Sequence, residues 1–187
     1  AQFRRQRQMC IRDRFGMLQF TPSFFSPNKG FVVTQLSGAG CPNMGNFPVT
    51  ATSNEIKKSP NNMELFDRYK SIKDSKAGFL SVEMNDGTEI SVTTTKRTAI
   101  AKFKFNSNDK GSIIIGSGIN STKVKDAFVK NTSLTSCEGY ATGGDFCGTD
   151  TNYPVFFYVE FDRPSLNHKV WKKNKISKNK SIDGPNS

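Results

Sequence analysis

A single histidine, His168, and a single tryptophan, Trp171, occur in 187 residues. One histidine excludes a multi-histidine metal centre and argues against a Ser-His-Asp triad. The four cysteines include no Cys-x-x-Cys pair and no zinc-type spacing. No apolar run approaches the ~20 residues that a membrane-spanning helix needs. Regular helical periodicity is scarce, and the apolar runs are short. What the chain has in quantity is phenylalanine, 16 residues, and net positive charge, +11. The length suits one domain with a real core, or a large piece of something bigger.

The charge suggests a nucleic-acid binder until it is mapped. Residues 1–14 hold five arginines and one aspartate, +4; residues 169–187 hold six lysines and one aspartate, +5. The body between them carries only +2. A nucleic-acid domain would show a basic face interleaved with aromatics on folded elements. Lys102-Phe103-Lys104-Phe105 is the nearest candidate, and its alternation reads better as a strand with one wet and one buried face. No nucleic-acid partner is therefore expected.

The two ends read differently from the body. "AQFRRQRQMCIRDR" has no apolar period and lacks the apolar segment of a signal peptide. Its "RQRQMCIRD" resembles the conceptual translation of sequencing-adapter read-through, so residues 1–14 are expected to be non-native sequence or a flexible basic arm. Residues 172–187 are polar and lysine-rich, and read as an exposed loop cut off within a domain.

Between the ends, strand signals dominate. Residues 78–95 alternate on both sides of Asn85-Asp86-Gly87, the sequence signature of a hairpin turn. Leu80, Val82 and Met84 fall on one face, continued by Ile90 and Val92 after the turn. "TAIAKFKFN" adds another strand, and residues 112–116 a short buried one. Residues 153–162, with Phe156, Phe157 and Val159 crowding both faces, are expected to form an inner strand of a sandwich. Residues 54–76 read mainly as a connecting loop, with a helical turn around 63–69. The predicted class is an all-β antiparallel β-sandwich.

The stretch "TQLSGAGCPNMG", residues 34–45, follows the apolar run Phe31-Val32-Val33. A P-loop needs a Lys-Ser/Thr pair after its last glycine, but Asn46-Phe47-Pro48 follows here. A dinucleotide site needs a helix to open at the loop, and Pro42 and Pro48 oppose one. What remains is a rigid loop whose backbone amides can approach a ligand closely.

Four blocks carry a family resemblance. "FVVTQLSGAGCPNMGNFPV" resembles the glycine-rich loop of glycoside hydrolase family 92, the calcium-dependent exo-α-mannosidases. "GYATGGDFCGTDTNYPVFFYVEFDRP", residues 139–164, is similar to that family's second glycine-rich loop and the strand after it. "FGMLQFTPS", residues 15–23, resembles its opening, and "AGFLSVEMNDGTEISVTTTKRTAIAKFKF" its central hairpin. The blocks fall in the family's order and cover most of 15–171. Three positions depart from the family pattern: Gln35 stands for a histidine, Asn46 for an aspartate, and the segment Tyr69 to Asp74 replaces a motif carrying His and Glu.

The resemblance implies an amino-terminal β-sandwich domain over 15–171, followed in the whole enzyme by an (α/α)6 domain. It implies that the catalytic acid and base and the calcium ligands lie mainly on that second domain. The acidic residues here are isolated, with no Asp-x-Asp-x-Asp loop, so no calcium site is expected in this chain, and the resemblance implies no catalytic residue in it. The chain alone is expected to be inactive. The implied substrate is a mannose-containing glycan, and the implied location is secreted, periplasmic or at the cell surface. On this reading Gln35, Ser37, Gly38, Gly40 and Cys41 form part of the sugar pocket wall. Gly38 and Gly40 let amides come near hydroxyls, and Gln35 and Ser37 supply hydrogen bonds. Asp145, Phe146 and Cys147 form a second part of the wall. The alternative is that both loops only turn the chain between strands.

Cys10 falls in the stretch expected to be non-native or a flexible arm, and is left out of any disulfide scheme. Among Cys41, Cys137 and Cys147, a Cys137–Cys147 bridge and buried free thiols are equal expectations. Two other functions compete with the mannosidase domain: a stand-alone carbohydrate-binding β-sandwich, and a polyanion binder acting through its basic tails.

Overall fold

The computed structural model describes residues 19–22, 31–34, 46–57, 69–106, 111–116, 124–143, 152–173, 175–177 and 181–183. Every regular element among them is a β-strand. The chain divides into two compact units. One takes residues up to Gly40, Pro48–Ile56 and Met63–Ile115; the other takes Cys41–Phe47, Lys57–Asn62 and Gly116–Ser187.

The first unit holds β1 (Gln19–Pro22), β2 (Phe31–Thr34), most of β3 (Asn46–Thr52), β4 (Tyr69–Lys76), β5 (Phe79–Met84), β6 (Glu89–Thr94), β7 (Ala99–Lys104) and β8 (Ser112–Ile115). They make two four-stranded sheets, ordered β1-β2-β3-β8 and β4-β5-β6-β7. The hairpin expected at residues 78–95 is β5–β6. Leu80 pairs with Val92 and Val82 with Ile90, so all four fall on one face. That face is buried, with Val82 and Ile90 at 0% exposure. Phe31 of β2 and Ala51 of β3 complete the cluster from the other sheet, which makes this unit a sandwich. Burying each large side chain contributes roughly 1.5–3 kcal/mol. Gly87 closes the turn at φ +81°, a left-handed conformation that favours glycine.

The outer face of this meander is mostly polar, with Ile100 exposed among the lysines. Ser81 and Ser91 share a hydrogen bond of 2.8 Å, and Lys104 lies 3.4 Å from Glu89. Strand β7 keeps the expected alternation, with Ile100, Lys102 and Lys104 outward and Ala101 and Phe103 packed on the core. In β8, Ile114 is buried and its neighbours Ile113 and Ile115 are half-buried.

Residues 69–76 correct the expectation of a loop: they form β4, paired with β5 from Tyr69↔Met84 to Lys76↔Phe79. Two register irregularities interrupt the ladder, between Tyr69 and Ser71 and between Ile72 and Asp74. Backbone pairing holds the strand, while its side chains stay largely exposed. The bulges and the lysines at 70, 73 and 76 are features of a guarded sheet edge. They also erase the alternation by which a strand is read from sequence.

The second unit holds β9 (Asp126–Asn131), β10 (Ser136–Gly143), β11 (Tyr153–Glu160), β12 (Val170–Lys172), β13 (Lys175–Ser177) and β14 (Ser181–Asp183). Four strands run in the order β11-β10-β9-β14, and β12 pairs with β13 as a ribbon. Ala127 of β9 and Ala141 of β10 are fully buried with Phe47, and Val155 and Phe157 pack against them. Gly139 permits this packing. A Cβ there would stand 2.2 Å from the Phe128 carbonyl oxygen and 2.7 Å from the Phe157 ring.

Strand β11 corrects a second expectation. It stands at the end of its described sheet, not inside one. Its burial alternates cleanly, half-buried at odd positions and exposed at even ones. Phe156 and Tyr158 are 73% and 63% exposed. The sequence crowds both faces with apolar residues, but only the odd-numbered set meets the core.

Candidate functional site

The eight residues expected to wall a sugar pocket lie outside the described residues: Gln35, Ser37, Gly38, Gly40, Cys41, Asp145, Phe146 and Cys147. Their chain positions are still informative. The first group falls between the end of β2 at Thr34 and the start of β3 at Asn46, two neighbours in one sheet. The second group falls between β10, ending at Gly143, and β11, starting at Tyr153. These two strands are antiparallel partners across their whole length, from Ser136↔Glu160 to Gly143↔Tyr153.

The chain leaves the first interval through an unusual residue. Phe47, on β3, has φ 53°, in the left-handed region, and is followed by Pro48. A bulky residue there costs on the order of 1–3 kcal/mol and persists only where packing over-determines it. The packing is present: Phe47 is 3% exposed, and its ring centroid lies 4.6 Å from that of Phe157. The aromatic ring thus fixes the start of β3 against Ala127, Ala141 and Phe157. Sequence reasoning missed this role, because neither periodicity nor turn chemistry announces a left-handed phenylalanine.

A second constellation surrounds Asp86 in the β5–β6 turn. Asp86 Oδ2 accepts from the Thr52 hydroxyl at 2.6 Å and from the Ser53 amide at 2.7 Å. Its Oδ1 accepts from the Thr88 amide at 2.9 Å. The Ser53 and Thr88 hydroxyls lie 2.9 Å apart, and Ser53 Oγ also accepts from the Asn106 amide at 2.9 Å. Partial burial pushes the Asp86 carboxyl up, but the hydrogen bonds from Thr52, Thr88 and Ser53 outweigh it and hold the group below its ordinary value. A carboxylate whose lone pairs are spoken for, and which stays ionised, is a clamp between strands and not a proton donor.

The remaining chemically interesting groups are also structural. Glu83 pairs with Lys73 and, at 3.0 Å, with Lys70 on the meander's outer face. Hydrogen bonds from Lys73 and then Lys70 lower the Glu83 carboxyl, and the Glu83 carboxylate raises Lys73. His168 lies 2.9 Å from Ser165 Oγ through Nε2, but that hydroxyl donates to the Leu134 carbonyl, also at 2.9 Å. With its proton committed there, Ser165 pins the segment after β11 to the β9–β10 turn. Cys137 is a buried free thiol, pushed up to about 11 by burial; Cys147, the partner in the expected bridge, lies outside the described residues. Thr50 is 0% exposed and its hydroxyl has no hydrogen-bond partner.

Among the described residues, no three His, Cys, Asp or Glu side chains converge into a metal cage. No helix among the described residues is long and apolar enough to cross a membrane.

Comparison with known proteins bears on the whole arrangement. The model of the glycosyl hydrolase family 92 N-terminal domain matches residues 15–187. No curated protein matches the chain. Among solved structures, the GH92 family glycosyl hydrolase ccman5 superposes with a TM-score of 0.80 at 17% identity, over 96% of this chain and 27% of that one. The family GH92 alpha-mannosidase BT3965 of Bacteroides thetaiotaomicron, in complex with mannoimidazole, superposes with a TM-score of 0.77 at 20% identity, over 96% and 27%. The chain therefore spans about a quarter of the length of these structures, and identities this low carry the fold alone. With the family model matched along nearly all of its length, and an all-strand architecture to agree with it, the chain belongs to glycosyl hydrolase family 92 as that family's N-terminal domain.

Proposed function

We propose that this chain is the substrate-shaping domain of an exo-acting α-mannosidase that removes terminal α-mannosyl residues from glycans. The observation that carries the reading is the family match over residues 15–187, combined with neighbours of which the chain covers 27% and which include an alpha-mannosidase. The β domain contributes form. The reactive carboxyls reside on an (α/α)6 partner domain of the same enzyme, as does the calcium. Hydrolysis proceeds by inversion: one carboxylic acid protonates the leaving oxygen while a carboxylate activates water on the opposite sugar face. Calcium supplies charge to the sugar hydroxyls when bound by the complete enzyme. On this reading neither the metal ligands nor the catalytic acid and base are assigned to this domain. The enzyme acts outside the cytoplasm, where its glycan substrates are.

Within this reading Thr34 to Cys41 forms part of the wall of the sugar site. Gln35 and Ser37 hydrogen-bond sugar hydroxyls, Gly38, Gly40 and Cys41 bring the backbone close, and Asp145, Phe146 and Cys147 form a second wall. Support comes from the strand ends that flank both intervals and from the tethered Phe47 at the exit of the first. The test uses the complete enzyme and an α-mannoside. Each of Gln35→Ala and Ser37→Ala removes a hydrogen bond worth about 0.5–1.5 kcal/mol, and should lower kcat/KM by about 2- to 10-fold. Unchanged kinetics in both variants would reduce the interval to a connection between strands.

A further inference from the structure

The outer face of the second unit's sheet is not an ordinary solvent face. Phe128, Tyr140 and Phe156 are direct cross-strand partners on β9, β10 and β11. Their rings form a continuous row, with centroids 6.1 Å apart between Phe128 and Tyr140 and 5.8 Å between Tyr140 and Phe156. The first pair is stacked at 25° and the second tilted at 49°. Tyr158 adds a fourth ring two positions along β11. Phe156 and Tyr158 are exposed, and Phe128 and Tyr140 half-buried; a contiguous aromatic surface reaching solvent on a sheet marks an interaction site.

The polar groups on the same face say what kind. The next cross-strand row is Lys130, Glu138 and Tyr158, and the row on the other side of the rings includes Asp126 and Thr142. Asp126 accepts a hydrogen bond from the Tyr140 hydroxyl at 2.8 Å. Covering this face with an apolar protein layer would bury three charged side chains with little in return. A polyhydroxylated ligand meets both demands. The C–H faces of a pyranose are complementary to the negative faces of aromatic rings, and its hydroxyls pair with carboxylates and an ammonium.

We propose that the Phe128–Tyr140–Phe156 row, with Tyr158, is a non-catalytic sugar-stacking platform that holds neutral hexose units of a glycan. It rests on the reading of this chain as part of a glycan-processing enzyme. It concerns residues distinct from the eight assigned to the pocket wall. The platform raises the time a branched or polymeric substrate spends near the enzyme, and a monosaccharide gains little from it.

The test is affinity electrophoresis of the full chain in gels containing soluble α-mannan. The chain should be retarded as mannan concentration rises. The double variant Phe156→Ala/Tyr158→Ala should weaken the apparent affinity at least 10-fold, and Phe156→Trp should keep it. Both positions are exposed, so circular dichroism should show intact strands in each variant. Absence of retardation, or equal retardation of the double variant and the parent, overturns the platform. So does sedimentation showing a dimer that the double variant dissolves, since the face would then serve a second copy of the chain. Hydrolysis of an α-mannoside by the complete enzyme is scored separately. Hydrolysis without retardation overturns the platform alone; retardation without hydrolysis supports it and overturns the mannosidase reading.

Discussion

The β4–β7 meander and the β9–β11 sheet are built by the same rule and finished differently. Both alternate, burying Leu80, Val82 and Ile90 in one case and Ala127 and Ala141, with Phe157 packed on them, in the other. Their outer faces diverge. The meander presents short hydroxyls and ion pairs, Ser81 with Ser91 and Lys104 with Glu89. The other sheet presents a row of rings with charges beside it. An outer face of the first kind keeps a sandwich soluble and its edges guarded. One of the second kind leaves a contiguous row of rings reaching water, where the meander leaves the single exposed apolar side chain of Ile100. The inner faces explain the fold; the difference between the outer faces marks where recognition is placed.

The comparison is broken most severely at Gly139. Gly139→Val places atoms against the Phe128 carbonyl and the Phe157 ring, and backbone cannot yield there cheaply. The expected loss exceeds about 4 kcal/mol, enough to abolish the cooperative denaturant transition of the second unit. Next comes Ile90→Ala in the meander core, with an expected loss of about 2–5 kcal/mol in the first unit's transition. Near-wild-type unfolding midpoints in either variant would contradict the packing described.

Asp86→Ala removes the clamp on Thr52, Ser53 and Thr88 and should cost about 2–4 kcal/mol, since each hydrogen bond to a charged group contributes about 1.5–3 and the freed donors are partly rehydrated. The same carboxylate gives a pH dependence. Its folded value lies below the ordinary one, so its contribution is complete above the unfolded carboxylate range, near pH 4, and fades as pH falls through the lower folded value. The parent should therefore lose stability in acid more steeply than Asp86→Ala, as urea midpoints measured from pH 6 to pH 2 would show. Parallel profiles would contradict the clamp.

Thr50→Val should be neutral or slightly stabilising, because it replaces an unpartnered buried hydroxyl with a methyl of similar shape. The smallest effect belongs to Glu83→Gln on the exposed ion pairs, and that effect should vanish at high salt. A large, salt-independent loss there would erase the distinction between a solvated outer face and a working one.

Much of the fold was legible in the sequence. Asn85-Asp86-Gly87 announced its hairpin because only certain residues fit that turn, and the inward set from Leu80 to Val92 followed from the two-residue period. Strand β4 was not legible, since bulges and an edge position remove the period that betrays a strand. Strand β11 was recognised but misplaced. Sequence shows that Phe156 and Phe157 are apolar, not which of them the rest of the molecule covers. The pocket wall was assigned from resemblance, and Gln35 through Cys41 and Asp145 through Cys147 lie outside the described residues. The left-handed Phe47 and the ring row depend on tertiary register, which no single-chain pattern encodes.

The most direct measurement is release of mannose from an α-mannoside, made with residues 15–187 alone and with the complete enzyme from which they come. The account predicts turnover by the complete enzyme and none above background by the isolated domain. Turnover by the domain alone, or none by the complete enzyme on any α-mannoside, would contradict the division of labour between a shaping β domain and a reactive partner.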